Sequence, residues 1–323
     1  MKHFGLPSFA GCAAAAALAA CARTQMPATA PGIGLTTLAP IVEPDRRGSW
    51  MAAGAKANDL LYVSNENEVV VYSYPAGAVV GMLTGFTNAV GQCTDPSGDV
   101  FITDSGANAI VEYAHGGAQP IATLPAATSS PVDCAVDRKS GNLAVTAWGT
   151  SGAAGNVAIY PHAAGTPATY SNSAFLHYSN CAYDDKGNLY LDGENGSFDF
   201  EFAMLRTGSS TLASVSLPAG ISSPGGVQWD GRHVAVGQWI DPRIYRFSIN
   251  GSQGREVGLT IIPSAYYMYQ FAIVGKTLIV PNKYYVHVYD QEADVLFFHF
   301  PSGKATKILK GGLTLTQGLS VSL

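Results

Sequence analysis

Residues 180–192 read Asn-Cys-Ala-Tyr-Asp-Asp-Lys-Gly-Asn-Leu-Tyr-Leu-Asp, and this stretch decides how the rest of the chain is understood. Two short alternating segments flank a turn rich in Asp, Gly and Asn, which is typical of two strands joined by a tight hairpin. Related copies occupy residues 91–104, 132–146 and 226–238, and fainter ones occupy residues 57–65 and 271–282. A unit that recurs in this way indicates a repeat architecture.

The spacing of the copies indicates the kind of repeat. Aligned aspartates stand at positions 95, 137, 184 and 230, so successive copies are 42, 47 and 46 residues apart. Blades of β-propellers have about 40–50 residues. Each copy continues into further strands, for example residues 68–72 and 109–113. A four-stranded sheet repeated at constant pitch buries both faces only against its neighbours, and such stacking closes into a disc.

The sequence therefore predicts an all-β fold, a β-propeller of about six four-stranded blades, over residues 49–323. Residues 317–323 read as the first strand of a further copy, whereas the copy that begins at Ser49 lacks a clean first strand. We expect the C-terminal strand to complete the first blade and so close the ring. A parallel β-helix is the alternative, although its coils are usually shorter and lack hairpin turns such as residues 186–188.

The N-terminal segment has a different texture. Residues 1–20 form a short basic start followed by an apolar stretch of small residues, too short for a typical membrane-spanning helix. Leu18-Ala19-Ala20-Cys21 resembles the lipobox of bacterial lipoproteins, which implies export, lipidation of Cys21 and anchoring to the cell envelope. Ala22, and not Asp, follows the cysteine, which by resemblance to the sorting rules of lipoproteins favours the outer membrane if the host has one. Residues 21–48 contain scattered prolines and no sustained period, so we expect a flexible tether.

Composition excludes some classes of partner. The net charge is −5 and only 13% of the residues are charged, with no cluster of Lys and Arg, so we expect no nucleic-acid partner. Three cysteines lie beyond Cys21. Cys134 and Cys181 share a repeat register, and Cys93 falls one position off it. Strands of successive blades are expected to be separated around the channel, too far apart for a disulfide. We therefore predict that all three cysteines are buried free thiols.

The hairpin pattern of the copies resembles the NHL-repeat and SMP-30/gluconolactonase-like propeller superfamily, over roughly residues 50–323. The resemblance implies a six-bladed architecture. It does not decide function, because members include lactonases, lyases and non-catalytic binding proteins.

Candidate site residues follow from the position of the second strands, since the loops after them ring one end of a propeller channel. One register holds Asn65, Asp104, Ala147, Gly193, Gln238 and Asn282. The next holds Glu66, Ser105, Trp148, Glu194, Trp239 and Lys283. From these we predict a ligand site at the channel rim that comprises Asn65, Glu66, Asp104, Trp148, Glu194, Gln238, Trp239 and Asn282. Turn chemistry alone is the alternative explanation of the Asn and Asp residues.

An oxygen-rich rim can hold a hard cation such as Ca²⁺. The resemblance to metal-dependent lactonases implies a channel-mouth metal, for which Glu66, Asp104 and Asn282 have suitable side chains. The acidic Glu-Gly-Pro-like opening of those enzymes is missing, and Ser49-Trp50 stands near that point.

We therefore expect a monomeric, surface-tethered propeller that binds a protein, peptide or glycan and has no evident catalytic motif. A metal-dependent lactonase-like hydrolase or lyase is the alternative. The aromatic run Tyr266-Tyr267-Met268-Tyr269 is either a contact surface or packing between blades.

The lipid anchor is directly testable. Replacing Cys21 by Ser is expected to move the protein from the membrane to the soluble fraction and to abolish incorporation of labelled palmitate. The matched control is Cys12→Ser, because Cys12 lies inside the apolar stretch and should not carry lipid. Membrane retention of the Cys21→Ser variant would count against the anchor.

Overall fold

The computed structural model describes residues 48–150, 152–218, 220–240, 242–263, 265–285, 291–310 and 312–323. The expected signal segment at residues 1–20, Cys21 and the expected tether up to residue 47 lie outside the described residues. The described part forms six antiparallel sheets that follow one another along the chain as the blades of a propeller. Its element order confirms the all-β prediction.

Blades 2 to 6 each contain four consecutive strands, with the first strand innermost. Blade 2 comprises β5 (Ala89–Thr94), β6 (Val100–Asp104), β7 (Ala109–Tyr113) and β8 (Pro120–Pro125), and blade 3 comprises β9 (Pro131–Val136), β10 (Leu143–Thr150), β11 (Ala153–Tyr160) and β12 (Ala168–Tyr170). Blade 4 comprises β13 (His177–Tyr183), β14 (Leu189–Glu194), β15 (Phe200–Leu205) and β16 (Leu212–Ser214). Blade 5 comprises β17 (Pro224–Trp229), β18 (Val234–Gln238), β19 (Arg243–Asn250) and β20 (Gln253–Ile261), and blade 6 comprises β21 (Ala272–Val274), β22 (Thr277–Tyr285), β23 (Gln291–His299) and β24 (Lys304–Lys310).

Blade 1 joins the two ends of the described chain. Its order is β1 (Trp50–Met51), β4 (Val79–Thr84), β3 (Glu68–Ser73), β2 (Leu60–Asn65) and β25 (Thr316–Ser322), with β25 innermost. Leu61 pairs with Val321 and Val63 with Leu319 across the β2–β25 ladder. The prediction that the C-terminal strand closes the ring is therefore confirmed, and the Trp50–Met51 segment forms an extra outer strand.

Helical structure is limited within the described ranges. It consists of two 3-10 turns, Ala55–Ala57 and Pro161–Ala163. No helix in these ranges is long and apolar enough to cross a membrane.

The repeated aspartates organise the hairpins between the first and second strands. Asp95 Oδ1 accepts hydrogen bonds from the backbone N–H groups of Ser97 and Asp99, at 2.8 and 2.9 Å. Asp137, Asp184 and Asp230 make the equivalent bond to the residue two positions ahead, at 2.8 to 3.1 Å. These are Asx turns, in which a carboxylate oxygen satisfies turn amides that the ladder leaves free. The feature by which the copies were aligned is therefore a structural one.

The core consists of six apolar clusters, one at each contact between neighbouring blades. Leu60, Tyr62 and Val69 of blade 1 pack with Val100 and other residues of blade 2. The next side chains along β2, Leu61 and Val63, pack on the other face with blade 6. Side chains alternate between the two faces of a strand, so each blade buries one set on either side. The remaining four contacts repeat this arrangement.

The prediction of three free thiols is wrong for two of them. Cys93 and Cys134 form a disulfide between β5 and β9, with their Cα atoms 5.5 Å apart, and Cys181 is a free buried thiol. Inner strands of adjacent blades converge near the channel, which brings their Cα atoms within reach. The one-residue offset of Cys93 then turns its side chain toward blade 3, while Cys134 faces back toward blade 2. Cys181 keeps the register of Cys134 and faces blade 3, which offers Ala135 there.

The disulfide should contribute measurably to stability. Replacing both Cys93 and Cys134 by Ala is expected to lower the free energy of unfolding by about 2–4 kcal/mol, because the bond closes a long loop with a sequence separation of 41. Urea denaturation of the oxidised wild type and the double variant measures the difference.

Dithiothreitol provides the control for that measurement. It should lower the stability of the wild type to that of the double variant and leave the variant unchanged. Equal stability of the oxidised wild type and the variant would contradict the assignment.

Candidate functional site

The channel opens into a cavity at the end where the second strands finish. This cavity, called here the mouth cavity, has a volume of about 240 Å³. Its walls come from several blades and include Ser105, Trp148, Glu194, Pro224, Trp239 and Tyr269. Its floor is polar and includes Asp133, Ser179, Asn180, Gln270 and Gln317.

The two predicted registers occupy different places in the structure. Four members of the second register line the mouth cavity, namely Ser105, Trp148, Glu194 and Trp239. Glu66 is instead exposed in the turn between β2 and β3, and Lys283 lies on β22 outside the lining. Asn65, Asp104, Gln238 and Asn282, the polar members of the first register, are buried and do not line the cavity.

The buried members of the first register share a structural task. Each accepts a hydrogen bond from the loop that leads to the inner strand of its own blade. Asp104 accepts from the backbone N–H groups of Thr87 and Asn88, both at 2.9 Å. Asn65 accepts from Thr314 N at 2.7 Å, Gln238 from Ser222 N at 3.3 Å and Asn282 from Tyr266 N at 2.8 Å. We call these four residues the loop anchors.

Blades 3 and 4 have small residues at the anchor position, Ala147 and Gly193. A Cβ atom on Gly193 would stand 2.0 Å from the carbonyl oxygen of His177, so the close approach of the loop requires glycine there. A side chain, that of His177, instead joins these two blades to each other. Its Nδ1 lies 2.8 Å from the carbonyl oxygen of Trp148, and since a carbonyl only accepts, Nδ1 carries the proton.

Two of the three residues proposed for a cation, Asp104 and Asn282, already use their side-chain oxygens within the protein. Asp104 Oδ1 accepts from Asn88 N and Ala107 N, and its Oδ2 accepts from Thr87 N, which uses most of its lone pairs. Asn282 donates to Asp294 Oδ1 at 2.9 Å while its own oxygen holds Tyr266 N. Among the described residues, no group of three or more His, Cys, Asp and Glu side chains is arranged to hold a metal ion.

Two separate aromatic assemblies contribute to the mouth wall. The indole of Trp148 stacks on the ring of His177 with centroids 4.1 Å apart, and Phe198 stacks on the far side of His177 at 5.9 Å. Trp239 contacts Tyr267 and Tyr269 at centroid distances of 5.6 and 5.3 Å. The run from Tyr266 to Tyr269 therefore serves both packing and surface exposure, because Met268 is fully buried between the blades while Tyr266 is exposed.

Glu194 is the carboxylate of the wall. It is only 8% exposed, and its carboxylate forms no hydrogen bond or ion pair within the described part of the chain. Burial raises the pKa of Glu194, and the neighbouring His177 ring opposes that rise. A desolvated carboxylate of this kind favours any cation that can reach it.

The floor is a polar layer held by Gln270. This side chain comes from blade 6 and donates to Asp133 Oδ1 at 2.7 Å and to the carbonyl oxygen of Gln92 at 2.9 Å. Its own oxygen accepts from Leu319 N at 2.8 Å. Gln270 therefore ties blade 6 to blades 1, 2 and 3 across the channel.

Buried carboxylates continue the layer on the other side. Asp133 Oδ2 accepts from Cys181 N at 3.1 Å, and Asp192 Oδ1 accepts from Asn180 N and Asn180 Nδ2 at 2.7 and 3.0 Å. Burial raises the pKa of Asp133 well above its usual value, and burial raises that of Asp192 to about 7. The amides that donate to these carboxylates oppose the rise.

Sequence reasoning missed the floor residues Asp133, Asn180 and Gln270. A signal was present, since a polar residue precedes each cysteine of the inner strands in Gln92-Cys93, Asp133-Cys134 and Asn180-Cys181. No comparable signal marks Gln270, which lies just before the short strand β21.

A second cavity of about 540 Å³ lies at the other end of the channel. Its lining begins at Gln92, Cys134 and Cys181, one residue beyond the floor of the mouth cavity. The polar layer therefore separates the two. The hairpins of the Asx turns surround this second cavity, where Trp229 Nε1 donates to Asp185 Oδ2 at 2.9 Å.

Comparison with known proteins defines the class of the chain. No model of a known protein family matches it, and no curated protein sequence matches it. Among solved structures, a chain of the crystal structure of a nidogen/laminin complex is similar, with a TM-score of 0.65 and 14% sequence identity. The match covers 82% of this chain and 99% of that chain. The chain is thus a six-bladed β-propeller, and at this identity the likeness shows the fold alone.

The loop anchors predict a stability effect that a ligand site would not. Asp104→Ala is expected to lower the free energy of unfolding by about 1–3 kcal/mol, because three backbone N–H groups lose their acceptor. Urea denaturation measures the change. Glu66→Gln, in the exposed β2–β3 turn, is the matched control and should leave stability unchanged within about 0.5 kcal/mol. If the Asp104→Ala variant were as stable as the wild type, the anchor role of Asp104 would be contradicted.

Proposed function

We propose that this protein is a binding module that engages a partner through the mouth cavity and the residues around it. The observation that carries the proposal is a set of exposed apolar side chains around an open, partly aromatic cavity. Phe198, Ile240 and Tyr266 are 63%, 51% and 52% exposed, and we call them the collar.

The collar is continuous with the walls of the cavity. Phe198 belongs to the stack that ends in Trp148, and Ile240 follows Trp239 directly in sequence. Ile240 also pairs with Tyr267, the residue after Tyr266. Exposed apolar groups that gather around a cavity favour a contact surface, since single surface residues of this kind are ordinarily scattered.

The structural neighbour supports the general class of this function. It comes from a complex of nidogen with laminin, which is a protein–protein complex. Propellers commonly act as interaction modules, and the present chain shares the fold with that structure. We take a protein, peptide or glycan as the partner and a monomer as the acting unit.

We further propose that the propeller works outside the cytoplasm on a lipid tether. The lipobox-like residues up to Cys21 and the proline-containing segment after them support an anchor and a spacer. The Cys93–Cys134 disulfide agrees with this placement, because disulfides persist mainly in oxidising compartments such as the bacterial periplasm.

Within six-bladed propellers, we assign the chain to the NHL and SMP-30-like type on the strength of its hairpin pattern. The lactonase-like alternative has less support. The side-chain oxygens of Asp104 and Asn282 already hold the loops in place, and the Glu66 side chain is exposed in the turn between β2 and β3.

Site-specific photo-crosslinking in the host tests which surface is used. A photoreactive amino acid placed at Phe198, Ile240 or Tyr266 is expected to trap a discrete partner. The same group at Ile121 or Ile261, which are comparably exposed on strands of the outer edge, should trap little. Adducts of equal yield from both sets of positions would overturn the proposal.

A pair of Trp substitutions adds a matched control. Trp148→Ala together with Trp239→Ala should lower the collar adduct tenfold or more, because buried aromatic residues dominate most interfaces. Trp229→Ala removes an indole at the opposite end of the channel and should leave the adduct unchanged.

A further inference from the structure

We propose that the mouth cavity binds an organic cation with N–H donors, an ammonium or a guanidinium group, held between the indole walls and the Glu194 carboxylate. This inference rests on the proposed function and deepens it, because it names the chemistry of the group that the mouth receives.

The charged side chains that line the cavity are all acidic. Two carboxylates line the cavity, Asp133 and Glu194, and the described lining contains no Lys, Arg or His. Asp133 is already satisfied, since Gln270 and the Cys181 amide donate to its two oxygens. Glu194 differs, because it is buried to more than nine-tenths and its carboxylate forms no hydrogen bond within the described part of the molecule.

An unpaired carboxylate at this depth is unfavourable without a counter-charge. Its two oxygens can accept about four hydrogen bonds, which matches the several N–H donors of an ammonium or guanidinium group. A neutral sugar would leave the charge of Glu194 uncompensated. A hard metal ion would need six to eight oxygen ligands, whereas much of the wall around Glu194 is indole, phenol and proline.

The aromatic walls favour the same class of ligand. Faces of Trp and Tyr attract cations through their ring quadrupoles, and Trp is the best of the three aromatic residues for this. Trp148, Trp239 and Tyr269 all line the cavity. Ser179 adds a buried hydroxyl that has no hydrogen-bond partner within the described residues, and its oxygen can accept from a cation.

The size of the cavity limits what enters. Its volume of about 240 Å³ lies below the roughly 300–1,000 Å³ of sites that enclose a drug-sized ligand. One extended head group therefore fits, and the rest of a larger ligand would lie on the collar. The head group can belong to a lysine or arginine side chain of a partner or to a free small amine.

Calorimetric titration of the full-length protein tests the inference with defined probes. Butylammonium and butylguanidinium are the cations, and 1-butanol is the neutral control of similar size. We expect at least one cation to bind saturably and at least tenfold more tightly than 1-butanol. Equal binding of the three probes, or no binding of either cation, would overturn the inference.

Variants assign the binding to the mouth. Glu194→Gln should weaken binding of the cation tenfold or more while the melting temperature stays level or rises, because an unpaired buried charge is removed. Glu66→Gln removes an exposed carboxylate and should change neither quantity. Loss of affinity in both variants, or in neither, would contradict a Glu194 site.

A capped dipeptide that ends in lysine distinguishes the two sources of the cation. Tighter binding than butylammonium supports a side chain of a protein partner, and weaker binding supports a free amine. The photo-crosslinks separate this inference from the proposed function. Collar adducts without binding of either cation probe would overturn the cation inference and leave the proposed binding surface standing, whereas cation binding without collar adducts would do the reverse.

Discussion

Each blade must bury two apolar faces, and no blade can do so alone. The alternation along β2 shows the constraint, because Leu60 and Tyr62 pack on blade 2 while Leu61 and Val63 pack on blade 6. Six such contacts are satisfied together only when the ring is closed, and the pairing of β25 with β2 closes it. The apolar faces thus determine the disc, and the disc determines which side chains converge on the channel.

Because the inner strands converge on the channel, their polar side chains are buried and bond to one another across blades. Near the axis, six strands bring their side chains together, and polar ones must find partners there. Gln270 reaches three blades, and Asp133 and Asp192 are buried and raised in pKa in the same layer. The disulfide between Cys93 and Cys134 is another result of the same close approach. The layer divides the channel into two cavities, so the mouth cavity has a floor.

Much of the fold was predictable because its causes are local and repeated. Asp-Gly-Asn turns and the spacing of 42 to 47 residues indicated hairpins and blades, and the unpaired C-terminal strand indicated closure. The candidate site was only partly accessible. Trp148, Glu194 and Trp239 were located by their register alone, whereas Gln270 and Asp133 meet across the ring although they are 137 positions apart in sequence. The cysteine pairing was missed because the inner strands of successive blades were expected to be too far apart for a disulfide, whereas the Cα atoms of Cys93 and Cys134 lie 5.5 Å apart.

Departures from the repeat are where the candidate site lies. In four blades a polar anchor at the end of the second strand accepts hydrogen bonds from the loop that leads to the inner strand. That position therefore has a structural role in these blades. Blades 3 and 4 lack the anchor, and His177 on β13 of blade 4 instead donates to the backbone carbonyl of Trp148 on β10 of blade 3. The residues that follow the missing anchors are Trp148 and Glu194, a cavity-facing indole and an unpaired buried carboxylate. Sequences that break a local rule without a structural gain do so most often at functional sites. The stack on His177 and the buried carboxylate of Glu194 both lie in these two blades, so this is where specificity for a ligand can be built.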